Sequence, residues 1–284
     1  MIPDTTIKRP ALRYYGGKFD IAPWIIGHFP SHLNYIEPCG GAASVLLQKP
    51  RSKLEVYNDL DSGVVNFFRI LRDNPTELLR TIKLTPWSRE EYEYCIDRQY
   101  GIEGARRFFM TCWMSYNGGT GSNPRLFGWR HTKDCRSRLP ASFDITNNDL
   151  EAIAERFIGV QIEHRDFTEV IERYDNDAAL IYLDPPYVPS ERTNNKNWYA
   201  CEWSETDHRI AAALLRQAQG YVIVSGYACP LYAELYEAHG WTRFDKEAQT
   251  NSGGKRIESI WLSPRTVEAL QVNLAGLPMF EGMK

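Results

Sequence analysis

The sequence lacks the features that mark membrane, secreted and zinc-binding proteins. No apolar run approaches the length of a membrane span, and the N-terminus has no apolar signal-peptide core. The six cysteines are scattered, without a Cys-x-x-Cys pair, which predicts reduced thiols and neither disulfides nor a zinc site. We therefore expect a cytoplasmic protein with no membrane partner and no metal.

An excess of positive charge is also missing. The chain has 33 Lys and Arg against 36 Asp and Glu, a formal net charge of −3. This excludes a protein coated in positive charge, although a local basic face would suffice to bind nucleic acid. The length of 284 residues and a hydrophobic content of 43% allow one large α/β domain, alone or with an inserted subdomain.

The most informative stretch is residues 180–187. The apolar run at 180–183 predicts a buried strand, and Pro185 and Pro186 end it. Ligands bind at the carboxyl ends of strands in open α/β sheets, so Asp184 and Tyr187 are expected at a cleft. This stretch offers a carboxylate, carbonyls in a rigid turn and an aromatic face. Together these groups would fit a planar base with an exocyclic amine. Taken alone, the four residues fit a rigid surface turn equally well.

A second pattern near the N-terminus indicates a nucleoside-bearing cofactor. A predicted strand at 34–37 runs into a turn of small residues, and a helix begins near residue 45. The next predicted strand, 53–57, leads to Asp59, 18 positions after Gly41. An acidic residue at about this spacing binds ribose hydroxyls in nucleotide-binding βαβ units. A dinucleotide oxidoreductase would explain this turn but not residues 184–187.

The middle of the chain, from about residue 64 to 159, predicts helices and irregular loop. Residues 88–91 form a predicted capping box. A glycine-rich loop at 117–124 leads into a basic stretch with interleaved aromatics. A solvated charged face is the alternative, but glycine, arginine and aromatics together favour contact with nucleic acid. The predicted DNA-binding residues are Arg125, Arg130, Lys133 and Arg136.

The remaining strands are predicted at 160–163, 221–225, 241–248 and 256–262. No helix separates the last two, which predicts a hairpin and hence one antiparallel strand in an otherwise parallel sheet. Residues 204–207 predict the cap of a helix that begins near 208.

Taken in order, these residues resemble the DNA adenine-N6 methyltransferase family. The resemblance rests on residues 14–18, 37–45, 58–59, 166–167 and 184–187, and so spans most of the chain. It implies a Rossmann-like α/β fold with a seven-stranded methyltransferase sheet, S-adenosylmethionine as cofactor and double-stranded DNA as partner. It also implies a catalytic domain of residues 1–62 and 160–284, and a mainly helical target-recognition insert of residues 63–159.

The same resemblance assigns catalysis to Asp184, Pro185, Pro186 and Tyr187. The amine of a flipped-out adenine would donate to the Asp184 carboxylate and the Pro185 carbonyl, while its ring stacks on Tyr187. An RNA adenine methyltransferase and a catalytically idle DNA-binding module are the alternatives. Cytosine-N4 and glutamine-modifying enzymes more often begin this tetrapeptide with serine and asparagine, respectively.

The resemblance also implies a set of cofactor-binding residues: Tyr14, Lys18, Glu37, Gly41, Asp59, Asp166, Phe167 and Asp184. Glu37 and Gly41 would line the methionine end and Asp59 would bind the ribose. A cation beside a sulfonium is unfavourable, so Lys18 is expected to pair with a carboxylate.

Asp166 and Phe167 would frame the cofactor's adenine, although a helix cap and a core position are their alternative roles. Where the family usually has an aromatic residue and a second glycine, this chain has Cys39 and Ala43. Ala43 should fit if its φ stays negative. We expect the protein to be a monomer or a weak dimer.

Overall fold

The computed structural model describes residues 7–118, 128–131, 149–191, 199–249 and 255–275. None of the helices in these ranges has the length and hydropathy needed to cross a membrane.

A seven-stranded sheet forms the centre of the protein. Its strands are β1 (Asn34–Glu37), β2 (Leu54–Asn58), β3 (Gln161–Glu163), β4 (Ala179–Leu183), β5 (Tyr221–Gly226), β6 (Thr242–Gln249) and β7 (Lys255–Leu262). The spatial order is β3-β2-β1-β4-β5-β7-β6, and β7 runs antiparallel to both of its neighbours. The remaining pairs are parallel. The predicted sheet with one antiparallel strand is confirmed.

The order of the strands reverses between β1 and β4, which are adjacent although the helical segment and β2 and β3 separate them in the chain. Connections on the two sides of such a point leave in opposite directions, so a crevice opens outside the carboxyl ends of the strands. The topology therefore places the ends of β1 and β4 at the expected binding edge.

The helices are α1 (Ala22–Ile26), α2 (Ser44–Gln48), α3 (Ser62–Asp73), α4 (Pro75–Leu84), α5 (Arg89–Cys95), α6 (Gly101–Met114), α7 (Asp149–Phe157), α8 (Phe167–Tyr174), α9 (Glu205–Leu215), α10 (Pro230–Leu235) and α11 (Pro264–Ala275). The predicted cap of α9 is confirmed, since Ser204 and Asp207 form a complete capping box. The box predicted for α5 is half formed. Ser88 accepts a hydrogen bond from the Glu91 N–H, while the Glu91 carboxylate pairs with Arg106 of α6.

Apolar side chains cover both faces of the sheet. Because successive side chains on a strand point to opposite faces, Tyr35 packs in one hydrophobic cluster and Ile36 in the other. Every residue of β4 is buried, as expected for a central parallel strand. This burial fixes the strand that leads directly into Asp184.

Helices α3, α6 and α7 belong to the same hydrophobic cluster as Tyr57 of β2. The rings of Phe68 and Phe157 stack with centroids 4.4 Å apart. Arg156 donates to the buried carboxylate of Glu55 at 2.6 Å. In the described part of the chain these helices therefore share a core with the sheet, and a separate domain of residues 63–159 remains a prediction.

Candidate active site

A cleft opens where β1, β2 and β4 end. Glu37 is the last residue of β1, Asp59 follows β2 and Asp184 follows β4. Parallel strands bring their carboxyl ends to one edge, so three acidic residues that are far apart in the sequence converge there. All eight predicted cofactor residues line this cleft: Tyr14, Lys18, Glu37, Gly41, Asp59, Asp166, Phe167 and Asp184.

The turn between β1 and α2 comes very close to the strands. A side chain at Gly40 would place its Cβ 2.2 Å from the Tyr57 ring, so only glycine fits. Gly41 has a φ of +47° and Ala43 a φ of +55°. The condition of a negative φ, under which Ala43 was expected to fit, is therefore not met. The Ala43 N–H closes the turn on the Gly40 carbonyl at 2.7 Å, and the Ala43 carbonyl accepts the Leu47 N–H at the start of α2, so Ala43 is the left-handed residue that joins the turn to the helix.

Asp59 holds this turn with its carboxylate. One oxygen accepts from the Gly41 N–H and the other from the Asp61 N–H, both at 2.8 Å. Burial raises the pKa of Asp59 to about 6, although the bonds from Asp61 and Gly41 favour the charged form. This structural role of Asp59 was not anticipated from the sequence. The spacing between Gly41 and Asp59 does not show which backbone N–H groups the Asp59 carboxylate contacts. Its contact with a ribose remains a prediction.

Glu37 is buried at the end of β1. Only 2% of the residue is exposed, and the Tyr35 hydroxyl donates to its carboxyl group at 3.0 Å. Burial raises the pKa of Glu37 to about 8, and the nearby charge of Asp184 raises it further. The group is therefore mostly protonated at neutral pH, when it can donate as well as accept a hydrogen bond.

We expect Glu37→Gln to stabilise the protein more at pH 8.5 than at pH 5. Because the folded pKa is raised, the native state keeps its proton after the unfolded chain has lost it, and stability falls as pH rises from about 4.5 to about 8. Glutamine is neutral throughout and avoids this loss. Thermal unfolding at both pH values measures the difference, with the exposed Glu77→Gln as control. An equal change in Tm at both pH values would contradict the assignment.

Asp184 pairs with Lys18, whose Nζ lies 3.1 Å from Oδ2. Lys18 is 3% exposed and also donates to the Gly16 carbonyl. Burial raises the pKa of Asp184 to about 6, and the Lys18 charge opposes that rise, so Asp184 is mainly ionised at pH 7. Its other oxygen, Oδ1, is buried and has no hydrogen-bond partner among the described residues. An acceptor is thus available at the end of β4.

Tyr187 lies beside this pair and is only 5% exposed. Its hydroxyl donates to the Glu258 carboxylate at 2.9 Å, and its ring centroid lies 4.6 Å from that of Tyr227 in an edge contact. The Lys18 ammonium is 4.6 Å from the same centroid. A base can stack on this ring only if its neighbours move. Pro186 lines the main cleft, and Pro185 is buried beside it.

A second, narrower cleft adjoins the first at Lys18. Its lining comprises Tyr15, Gly16, Lys18, Tyr187, Tyr199, Tyr227, Arg256 and Glu258. Arg256 and Glu258 were not anticipated from the sequence. Their available signal was a pair of opposite charges, two positions apart, in a strand that ends in three apolar residues, 260–262.

Asp166 caps α8, since its Oδ1 accepts from the Thr168 N–H at 2.9 Å. The alternative role as a helix cap is therefore confirmed, and the same residue lines the cleft. Phe167 is largely buried, with its ring centroid 4.4 Å from that of Trp203. Trp203 also lines the cleft and was not anticipated.

Within the described ranges, no group of three or more His, Cys, Asp or Glu residues could hold a metal ion. The cysteines described there, Cys39, Cys95, Cys112, Cys201 and Cys229, are free.

Arg130 is the one predicted DNA-binding residue that the structure describes, since Arg125, Lys133 and Arg136 lie outside the described residues. Its N–H donates to the Met114 carbonyl at 2.6 Å, and its carbonyl accepts from Trp87. This anchors the backbone of residues 128–131 on the end of α6. Contact of these four residues with DNA remains a prediction.

The sheet order, the antiparallel β7 and the cleft at the carboxyl ends define a Rossmann-like methyltransferase fold. Residues 14–251 match the family described as D12 class N6 adenine-specific DNA methyltransferase. The chain belongs to this family and is a site-specific DNA adenine methyltransferase.

Curated relatives match over similar lengths. The Type II methyltransferase M1.LlaDCHI of Lactococcus lactis subsp. cremoris is 26% identical over 275 residues, covering 89% of this chain and 94% of that protein. The Type II methyltransferase M.MjaIII of Methanocaldococcus jannaschii is 23% identical over 284 residues, covering 89% and 96%. A DNA adenine methylase of Vibrio cholerae serotype O1 is 24% identical over 219 residues, covering 72% and 75%.

Proposed function

We propose that the protein transfers the methyl group of S-adenosylmethionine to N6 of an adenine flipped out of double-stranded DNA, and that Asp184 accepts a hydrogen bond from the target amine. The observation that carries this proposal is the buried Asp184 Oδ1, which lacks a hydrogen-bond partner in the described part of the chain. It lies at the edge where the cleft meets the end of β4.

The residues of the main cleft fit S-adenosylmethionine. The Asp59 carboxylate can accept from ribose hydroxyls, and Glu37 can pair with an amino group. Ser44 Oγ is buried without a hydrogen-bond partner among the described residues and can donate to a carboxylate. Gly40 and Gly41 leave the turn backbone open to close approach. When bound, this cofactor supplies a methyl group activated by a positively charged sulfonium.

Asp184 and Pro185 act on the nucleophile. An adenine amine is a poor nucleophile because its lone pair is conjugated with the ring. Hydrogen bonds from its two hydrogens to the Asp184 carboxylate and the Pro185 carbonyl favour a pyramidal nitrogen and free that pair. The carboxylate also stabilises the positive charge that develops on the nitrogen. The protein therefore contributes positioning and electrostatics.

Access to the amine requires the base to leave the duplex, which costs a few kcal/mol of unstacking and unpairing. Stacking on Tyr187 would offset about 1–3 kcal/mol of this cost. Because Lys18 and Tyr227 contact the Tyr187 ring, entry of the base is coupled to rearrangement of this pocket. Arg125, Arg130, Lys133 and Arg136 would contact the DNA from the basic stretch.

The biological setting is also part of the proposal. The two relatives named as Type II methyltransferases favour a role in restriction–modification. A cytoplasmic location and a monomeric or weakly dimeric state stay predictions from the sequence.

One experiment tests the reaction. The protein is incubated with radiolabelled S-adenosylmethionine and either duplex DNA or RNA of matching sequence, and the labelled base is mapped. N6-methyladenine confined to DNA is the expected product. Label in RNA or on cytosine, or no label in any nucleic acid, would refute the proposal.

We expect Asp59→Ala to weaken S-adenosylmethionine binding by about 1–3 kcal/mol, the scale of a charge-assisted hydrogen bond. The variant loses the ribose acceptor and also frees the Gly41 N–H that orders the turn. Titration calorimetry measures the affinity, and the exposed Asp73→Asn serves as the control. Unchanged affinity in a folded Asp59→Ala protein would remove the ribose assignment.

A further inference from the structure

The acceptor proposed for the ribose, Asp59, depends on the backbone of Asp61. The Asp61 N–H donates to Asp59 Oδ1 at 2.8 Å, and the Gly41 N–H donates to Oδ2 at the same distance. Asp61 is itself held by its side chain, because its Oδ1 accepts from the Gly63 N–H at 2.8 Å and so caps α3. The contacts of the Asp61 carboxylate therefore determine where the Asp61 N–H points.

The Asp61 carboxylate needs a positively charged partner. Asp61 is only 3% exposed and lines the main cleft two residues from a second carboxylate, that of Asp59. A buried carboxylate is strongly disfavoured unless a cation pairs with it, and a neighbouring negative charge disfavours it further. The stability of this edge of the cleft therefore depends on what compensates the charge of Asp61.

Arg98 supplies the compensating charge from outside the main cleft. It lies between α5 and α6, and its two terminal nitrogens donate to the two oxygens of the Asp61 carboxylate, with Nη2 3.3 Å from Oδ2. Among the residues that the structure describes, no other basic side chain forms an ion pair with Asp61 or Asp59. Arg98 is not part of the lining of the main cleft and faces a separate pocket between α3, α5 and α6.

The loop that carries Arg98 is fixed to α3 at a second point. Asn66 and Gly101 exchange two hydrogen bonds, from Asn66 Nδ2 to the Gly101 carbonyl at 3.0 Å and from the Gly101 N–H to Asn66 Oδ1 at 3.1 Å. The guanidinium carbon of Arg98 lies 5.7 Å from the centroid of the Phe108 ring of α6. The packing of the helices therefore holds Arg98 on Asp61, although 38% of the Arg98 side chain is exposed.

We propose that Arg98 is a positioning residue for the cofactor: its ion pair holds the Asp61 carboxylate in place, so that the Asp61 N–H keeps the Asp59 carboxylate oriented toward the ribose hydroxyls. This inference rests on the proposed binding of S-adenosylmethionine in the main cleft. Arg98 acts through Asp61 and does not itself touch the cofactor. Without Arg98, the Asp61 carboxylate moves toward the solvent in the cleft and withdraws its N–H from Asp59.

The test is a mutant cycle measured by titration calorimetry with S-adenosylmethionine. Arg98→Met should weaken binding by about tenfold, and Asp61→Asn by less than about threefold. Asparagine keeps an acceptor for the Gly63 N–H and needs no cation, while the partly exposed Arg98 can turn to water. The double variant should bind as well as Asp61→Asn, because no uncompensated charge remains in it.

A second readout separates positioning from simple destabilisation. In steady-state methylation of duplex DNA, Arg98→Met should raise the KM for S-adenosylmethionine by about tenfold and change kcat by less than about threefold, since the groups that act on the target amine are unaltered. The matched control is Arg209→Met. The Arg209 side chain is 43% exposed, pairs with Glu205 and Glu234, and lines neither cleft, so this variant should leave affinity and KM unchanged.

Wild-type affinity in Arg98→Met would overturn the inference, as would a double variant that binds as weakly as Arg98→Met or more weakly. Thermal unfolding verifies that each variant is folded. If Arg98→Met does not fold, Arg98→Gln, which keeps a hydrogen-bond donor but no charge, takes its place in the same cycle. Failure of the proposed function is recognised separately, because the wild-type protein would then not bind S-adenosylmethionine at all.

Discussion

Replacing Asp184 with alanine should lower the single-turnover rate of methyl transfer by about 10²–10³-fold, the scale of losing one preorganised electrostatic contact in an active site. The variant removes the buried acceptor Oδ1 at the end of β4. Asp184→Asn keeps the shape and one acceptor, but it loses the charge and adds an N–H donor, so it should also be strongly impaired. DNA affinity should stay within a few-fold for both, since the contact acts mainly in the transition state.

The measurement uses pre-bound enzyme, duplex DNA and labelled cofactor, so that binding does not limit the rate. Thermal unfolding is recorded alongside, because either change leaves Lys18, which is 3% exposed, without its carboxylate partner. The surface variant Asp73→Asn is the control. Near-normal transfer by a folded Asp184→Ala protein would eliminate the proposed mechanism.

Lys18→Met should lower the rate at pH 7 by about tenfold and move the acidic limb of the pH–rate profile to higher pH. In the wild type the pKa of Asp184 is about 6, and the Lys18 charge opposes the effect of burial. Without that charge the pKa rises, so a smaller fraction of Asp184 is ionised at neutral pH. Because the proposed mechanism requires the ionised form to accept from the amine, activity should recover as the pH increases.

Arg156→Met provides the matched control. Arg156 is also buried and pairs with a carboxylate, that of Glu55, which lies near the amino end of β2, whereas the cleft lies at the carboxyl ends of the strands. This control should lose stability without a shift of the pH–rate profile. A pH-independent loss of rate in Lys18→Met would show that Lys18 acts on structure alone.

Much of the site follows from local patterns. The five buried residues of β4 form an apolar run that predicts a central strand, and its end locates Asp184. Likewise, a strand followed by small residues predicts the turn at Gly40 and Gly41. These inferences succeed because each constraint acts on consecutive positions. Burial on both faces of the sheet restricts β4 to apolar residues, and close approach of the backbone restricts the turn to small ones.

Contacts between distant segments leave no comparable signal. Glu258 and Tyr187 form a hydrogen bond across 71 residues of sequence. The residues that flank either of them in the sequence do not predict this contact. Glu91 fits a capping box, yet its carboxylate pairs with Arg106 because α6 packs alongside α5. The left-handed conformation of Ala43 likewise arises from the turn as a whole, against a preference of about 1–2 kcal/mol for right-handed backbone.

The position of β7 also determines the order in which the two clefts are completed during synthesis. This strand follows β6 in the chain, yet it lies between β5 and β6 in the sheet. During synthesis, all the residues that line the main cleft leave the ribosome before β7 does, at a stage when the edge of β5 is still open. The pocket around Tyr187 closes only when β7 pairs with β5. The narrow cleft beside Tyr187 is therefore completed later in synthesis than the main cleft.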